Sequence, residues 1–323
     1  MPLLQVENLQ VSFRAQNGFL PVVRGVSLEL HEGETLAVVG ESGSGKSVSS
    51  LALMGLLPSK ARVEGSFRFQ GDSFEPPQGK LRGHGLSMIF QNPMSSLNPV
   101  MTVGKQVAEP LLFHQRMSTQ EADDKVLELF QEVGLPSTPV FSQRYPHQLS
   151  GGMRQRVVIA IALACAPRVL IADEPTTALD VTIQAQILAL LKELQAHRKM
   201  GVIMVTHDMS VVEAVAHRVA VMYAGQFVEV GPRKEVLARP AHPYTRALLA
   251  SRPTLNREPV GALTAIPGRP PSPAELDGGC PFHPRCGLAE ESCRKGEPAL
   301  KPWENRAVRC PVVTEGTSVA SQG

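Results

Sequence analysis

The stretch GESGSGKS, Gly40 to Ser47, limits the possible folds of this chain more than any other. It follows the apolar run TLAVV and precedes SVSSLALMGLL, so a strand must hand over to a helix across a glycine-rich turn. In that context G-x-x-x-x-G-K-[ST] is a phosphate cradle. Glycines let successive backbone N–H groups curl around an anion, Lys46 can reach β and γ phosphate oxygens, and Ser47 can bind Mg²⁺. A strand, a tight loop and a helix N-terminus in this order point to an α/β core with a parallel sheet.

The remaining segments agree with that core. LLQVENLQVSF, VVRGVSLEL and RVEGSFRFQG alternate as β-strands, and LSMIFQ is a further short strand. Residues 98–166 read mainly as helix, within a helical insertion of about 92–166, with TQEADDKVLELFQEVGL as an amphipathic segment. RVLIADEP and GVIMVTHD are buried strands, separated by the helical VTIQAQILALLKELQAHR. The longest apolar run, Val157 to Ala166, falls short of the ~20 residues of a membrane span. No basic segment precedes an apolar one at the N-terminus, so no signal peptide is expected. With 32 basic and 30 acidic residues and no Lys/Arg stripe, no nucleic-acid partner is expected.

Acids suited to Mg²⁺-assisted phosphoryl transfer follow in VLIADEP. Asp173 ends a buried strand, where it could hold Mg²⁺ through water, and Glu174 comes next, where it could polarise an attacking water. His207 ends GVIMVT and could contact a γ-phosphate, while Gln91 ends LSMIFQ and could orient water or Mg²⁺. A second anion site is written in LSGGM. Ser150 stands at an N-cap and Gly151 and Gly152 leave the following N–H donors bare.

GESGSGKS, FQNP, LSGGM, VLIADEP, TALD and THD, in this order over about residues 5–250, resemble the ATP-binding subunits of ABC transporters. That resemblance implies a P-loop ABC ATPase core with an antiparallel β subdomain and a helical subdomain. It also implies head-to-tail dimers, in which each ATP lies between one subunit's phosphate loop and its partner's signature. Ser150, Gly151 and Gly152 would then bind the partner's γ-phosphate. Phe13, where many members have Tyr, would stack on adenine. Gly40, Glu41, Ser42, Gly43, Ser44, Gly45, Lys46 and Ser47 would hold phosphate, with Mg²⁺ on Ser47, Gln91 and Asp173. Glu174 would be the general base, with Gln91 sensing the γ-phosphate and His207 stabilising the transition state. Asp180 would communicate across the dimer. The chain departs from the family at Met153, where Gln is usual.

HQLSGGMRQRV, ADEPTTALDVTIQAQIL, MYAGQFVEVG, HPYTRALL, IPGRPPSP and GCPFHPRC further resemble the dipeptide/oligopeptide (and nickel) importer branch, nearest to its D-type ATPase subunits. The implied partners are a second ATPase subunit, two membrane permeases and an extracytoplasmic substrate-binding protein. The implied location is peripheral, on the cytoplasmic face of the membrane. Nickel, glutathione or another small solute is an alternative cargo, and a soluble non-transport ABC ATPase is a more remote reading. The expected boundaries are 1–254 for the nucleotide-binding domain, 255–313 for a compact Cys-rich appendage lacking strand or helix period, and 314–323 for a flexible tail.

Four of the five cysteines, Cys280, Cys286, Cys293 and Cys310, lie in that appendage. Disulfides are disfavoured in a reducing cytosol, and the tight knuckles usual for zinc are absent. A four-iron four-sulfur cluster, zinc and free thiols stay open, with the cluster as the leading expectation because its ligand spacings vary more. Cys165 lies alone in an apolar helix and reads as a core residue.

Overall fold

A computed structural model describes residues 1–16, 18–76, 81–91, 96–177, 179–251 and 266–314. The phosphate loop joins β3 (Thr35–Val39) to α1 (Lys46–Leu53). Before it, β1 (Leu4–Ala15) and β2 (Gly18–Leu30) form a long hairpin. This hairpin pairs with β4 (Ala61–Phe69) and β5 (Asp72–Ser73) in an antiparallel sheet of order β2-β1-β4-β5. Alternating apolar positions such as Leu4, Val6, Leu9 and Val11 turn inward, which is why these segments alternate in sequence.

The second sheet is built on β6 (Leu86–Ile89), β7 (Val169–Asp173), β8 (Gly201–Thr206), β9 (Arg218–Tyr223) and β10 (Gln226–Pro232). Its parallel part runs β9-β3-β8-β7-β6. Strands β3, β7 and β8 are buried at every position, so they read as continuous apolar runs rather than alternating ones. One core fills the space between the two sheets, and another holds the helical layer.

That layer contains α2 (Val103–Pro110), α3 (Thr119–Glu132), α4 (Pro139–Ser142) and α5 (Gly151–Leu163). Ser118 and Glu121 close a capping box at the start of α3. After β7 comes α6 (Val181–Arg198), which matches the expected helix residue for residue and is capped by Asp180. The shorter α7 (Met209–Val215), α8 (Arg233–Ala238) and α9 (Pro243–Ala250) pack on the β9–β10 side.

The Cys-rich segment departs from its expected form. It contains a hairpin, β11 (Lys301–Trp303) and β12 (Arg306–Val308), that joins the main sheet through β10, giving the order β11-β12-β10-β9-β3-β8-β7-β6. Its strands are three residues each, too short to show a period. Phe282, Val308 and three cysteines share a core with Tyr223, Tyr244 and Val39, so this region is built into the ATPase sheet. The expected boundary at 254/255 falls outside the described residues, as does the expected 314–323 tail beyond Thr314, which itself closes a short helix, Pro311–Thr314.

Candidate functional site

Parallel pairing aligns the carboxyl ends of β3, β8, β7 and β6, where ligands collect in sheets of this kind. Val39 pairs with Thr206, and Asp173 with Val205, so Gly40, His207 and Glu174 all follow the carboxyl ends of their strands on the same side of the sheet. Gln91 follows β6 on that side too.

The phosphate loop is shaped by backbone proximity. A Cβ at Gly40 would stand 2.1 Å from the Met222 carbonyl oxygen, so only glycine fits. Gly45, at φ +105°, turns the chain into α1 without a side-chain cap, leaving that helix's first N–H groups for a ligand. Lys46 is buried, and its Nζ donates to the carbonyls of Gly40 (2.7 Å) and Glu41 (2.9 Å) and to Ser44 Oγ (3.5 Å). Burial lowers its pKa, against the opposing pull of Glu174, Asp173 and Glu41. Ser47 Oγ donates to Asp173 Oδ1 at 3.1 Å. Burial raises the Asp173 carboxyl, more than the Ser47 hydrogen bond lowers it.

Glu174 is the hub. Its φ of +47° is a left-handed conformation that costs a non-glycine residue ~1–3 kcal/mol. Its N–H donates to Val205 O at 2.8 Å, which ties it to the end of β8. His207 Nδ1 lies 2.9 Å from Glu174 Oε1, while Gln91 Nε2 (2.9 Å) and Thr177 Oγ1 (3.0 Å) donate to Oε2. Burial pushes this carboxyl up, but the hydrogen bonds from His207, Thr177 and Gln91, with the charge of His207, outweigh it and hold the pKa below the usual carboxylate value. A cavity of about 200 Å³ opens between Glu174, Gln91, Ser42, Gly43, Gly45, Lys46, Ser47 and Val22.

Phe13, Ser150, Gly151, Gly152 and Asp180 are not among the residues lining that cavity. Phe13 is half-buried against the core between the sheets. Ser150 caps α5, accepting from Met153 N at 3.3 Å, and Gly151 is exposed. Gly152 lets α5 approach α6, since a Cβ there would meet Ile183 at 2.9 Å. Asp180 accepts from Ile183 N at 2.9 Å. Thr177, Tyr244 and Arg285 escaped the sequence reading. Thr177 follows Glu174 by three residues, in a turn closed by its N–H to the Glu174 carbonyl, and could have been found there, whereas Tyr244 and Arg285 reach the loop from 203 and 244 residues away.

Residues 23–177 match the family described as ABC transporter, and residues 228–293 match the oligopeptide/dipeptide transporter C-terminal region. The dipeptide transport ATP-binding protein DppD of Bacillus subtilis is 52% identical over 88% of this chain and 86% of its own. The chain belongs to the ABC transporter ATP-binding family. The oligopeptide transport ATP-binding proteins AppD of Bacillus subtilis (95% of this chain, 96% of its own) and OppD of Salmonella typhimurium (96% and 94%) are each 47% identical to it. Among solved structures, a dimeric ATP-binding cassette in a post-hydrolysis state bound to ADP and Pi matches with TM-score 0.62 and 30% identity, covering 71% of this subunit and 98% of that cassette. The cbiO1 cassette of Clostridium perfringens matches with TM-score 0.62 and 27% identity, covering 74% and 91%.

The iron–sulfur expectation finds no support in this ABC ATPase. Among the described residues, no group of three or more His, Cys, Asp or Glu is placed to hold a metal ion, which applies to zinc as well. Cys280, Cys293 and Cys310 are buried, Cys286 is half-buried, and all four are free thiols. Burial pushes the Cys280 thiol up to about 11 and raises Cys286 and Cys310, with the neighbouring cysteines adding to the rise. None of the described helices is long and apolar enough to cross a membrane.

Proposed function

We propose that this subunit hydrolyses ATP to energise uptake of dipeptides or oligopeptides through a membrane complex. The observation that carries the chemistry is the convergence on Glu174 of side chains from three other positions, beside Lys46, Ser47 and Asp173. An ionised carboxylate held that way suits a general base that takes a proton from water as it attacks the γ-phosphate. His207 stabilises charge in the transition state and Gln91 senses the γ-phosphate, while Gly40 to Ser47 cradle the phosphates and Phe13 stacks on adenine. Ser47, Gln91 and Asp173 are the residues that would hold Mg²⁺, which offsets phosphate charge when bound. The donor set fits: a hydroxyl and a carboxylate 3.1 Å apart, with an amide nearby, are oxygen ligands suited to that ion.

Ser150, Gly151 and Gly152 complete the ATP site of a homologous partner in a head-to-tail dimer, with Asp180 at the contact. Their position away from their own loop's cavity supports this reading. The nucleotide-binding domain spans 1–254 and the Cys-rich region 255–313. The subunit works peripherally on the cytoplasmic face, with two permeases and an external substrate-binding protein. A cavity of about 680 Å³ on the helical layer, lined by Met101, Leu112 and Phe113 together with Lys105, Glu109 and Asp123, offers a permease a mixed apolar and charged foothold. Phe113 is 77% exposed there, on a π-helical turn that follows Pro110. Peptide cargo rests on the named relatives.

The test is a mild-detergent purification of this chain from membranes. Two permeases and a second, related ATPase are expected to accompany it. Recovery only from the soluble fraction, with ribosomes or DNA-processing proteins, rejects the transport reading.

A further inference from the structure

We infer that Arg285 is a positioning residue for the phosphate loop: by neutralising and orienting Glu41, it sets the loop's affinity for the triphosphate of ATP. The inference rests on the nucleotide-site reading above and assigns a task within it to the Cys-rich region.

Arg285 forms a two-pronged ion pair with Glu41, Nη1 to Oε2 at 2.7 Å and Nη2 to Oε1 at 3.0 Å. Its other donors are also engaged. Nε donates to Pro267 O at 2.8 Å, and Nη1 also reaches the Tyr223 hydroxyl at 3.2 Å. The Arg285 side chain is only 5% exposed and that of Glu41 is 26% exposed, so the guanidinium is shielded and the fork restrains the geometry of the pair.

Glu41 is the first residue of the loop after Gly40, and all three of its polar groups are committed. Its N–H donates to the Tyr244 hydroxyl at 2.9 Å, its carbonyl receives Lys46 Nζ at 2.9 Å, and its carboxylate receives Arg285. Two of these partners, Tyr244 and Arg285, come from the region that matches the oligopeptide-transporter family. They are joined through Tyr223 and Phe282, whose rings pack at 4.6–5.4 Å centroid separations with Tyr244.

The electrostatics give the arrangement a consequence. Glu41, Asp173 and Glu174 all act on the Lys46 ammonium. ATP brings several negative charges to the same loop, so an unpaired Glu41 carboxylate would repel them and compete for Lys46. Arg285 cancels that charge and turns it away. Because guanidinium cannot lose its proton at working pH, the cancellation is permanent. A residue that acts on the loop before chemistry shifts nucleotide affinity more than turnover at saturation.

The test uses the full-length protein, with binding of Mg-ATP and of a fluorescent ATP analogue measured beside steady-state ATP turnover. Arg285→Ala is expected to raise Kd and KM for ATP by about tenfold or more, with kcat within about threefold of wild type. Adding Glu41→Gln to Arg285→Ala removes the side-chain charge and leaves the residue's backbone in the loop, and it is expected to recover most of the affinity that Arg285→Ala loses, since the liability is the orphaned charge. Arg285→Lys, which keeps the charge and loses the fork, is expected to fall between wild type and Arg285→Ala, and it carries the test if Arg285→Ala does not fold. Unchanged affinity in Arg285→Ala or Arg285→Lys, or a loss that Glu41→Gln fails to reverse, overturns the inference. Wild type and Lys46→Ala serve as references. Failure of wild type to bind ATP would sink the nucleotide-site reading, whereas ATP binding that is lost in Lys46→Ala but intact in Arg285→Ala sinks only the role of Arg285.

Discussion

His207 Nδ1 stands 2.9 Å from Glu174 Oε1, across the aligned ends of β8 and β7. The contact makes Glu174 both a charge to be held and a base to be aimed. Glu174→Gln keeps the size and much of the hydrogen bonding of the side chain and removes its basicity. The expected result is a fall in ATP turnover of about 10²-fold or more, with ATP still bound in a closed dimer. Phosphate-release kinetics together with size-exclusion chromatography in ATP measure both, and near-wild-type turnover would reject the general-base role.

Ser150 caps α5 and lies outside the cavity of its own phosphate loop. Ser150→Arg is therefore expected to impair the ATP site of the partner in a mixed dimer and to spare its own. Nucleotide crosslinking to each loop in dimers carrying one altered subunit separates the two cases. Selective loss at the altered subunit's own Lys46 would contradict the head-to-tail arrangement.

Arg306 and Glu229 form an ion pair at 3.1 Å, with side chains 1% and 0% exposed. Arg306 also donates to the carbonyls of Glu235 (3.1 Å) and Arg239 (2.6 Å). Removing one partner of such a pair strands the other charge, so Arg306→Ala is expected to destabilise the fold by about 3–5 kcal/mol. Urea unfolding reads this directly. A loss under about 1 kcal/mol would mean the pair contributes little to holding β12 on β10.

His242 is buried and neutral, with Nδ1 accepting from Tyr244 N at 3.0 Å, and burial lowers its pKa to about 3. The folded value lies below the unfolded one of ~6.5, so the unfolded chain binds the extra proton first as pH falls. This contribution to stability is complete above pH ~6.5 and shrinks by up to about 1.4 kcal/mol per pH unit on descending toward pH 3. His242→Asn, which can still accept from Tyr244 N, is expected to show a shallower decline between pH 7.5 and 5 in thermal melts. Equal slopes would show that His242 does not control the acid response.

Much of the site was legible because its parts are local. The phosphate loop is one contiguous stretch whose glycines, lysine and hydroxyl act through their immediate backbone, so spacing alone identified it. Asp173, Glu174, His207 and Gln91 each end a recognisable strand, and parallel pairing brings such ends together. Thr177 was missed although it stands next to the acids, because a hydroxyl in a turn has many uses. The cysteines read as ligands because four thiols share one segment, but among the described residues no group is placed to hold a metal ion.

The sequence by itself determined most elements up to β8, their order and the phosphate chemistry, since hydrophobic period, caps and motif spacing are properties of neighbouring residues. Only the tertiary structure decided that the Cys-rich region is part of the ATPase sheet and that Arg285 grips Glu41 from 244 residues away. No local pattern marks either outcome. Two charges far apart in the chain become partners only when the sheet order and the core around Tyr223, Tyr244 and Phe282 bring them together and exclude water.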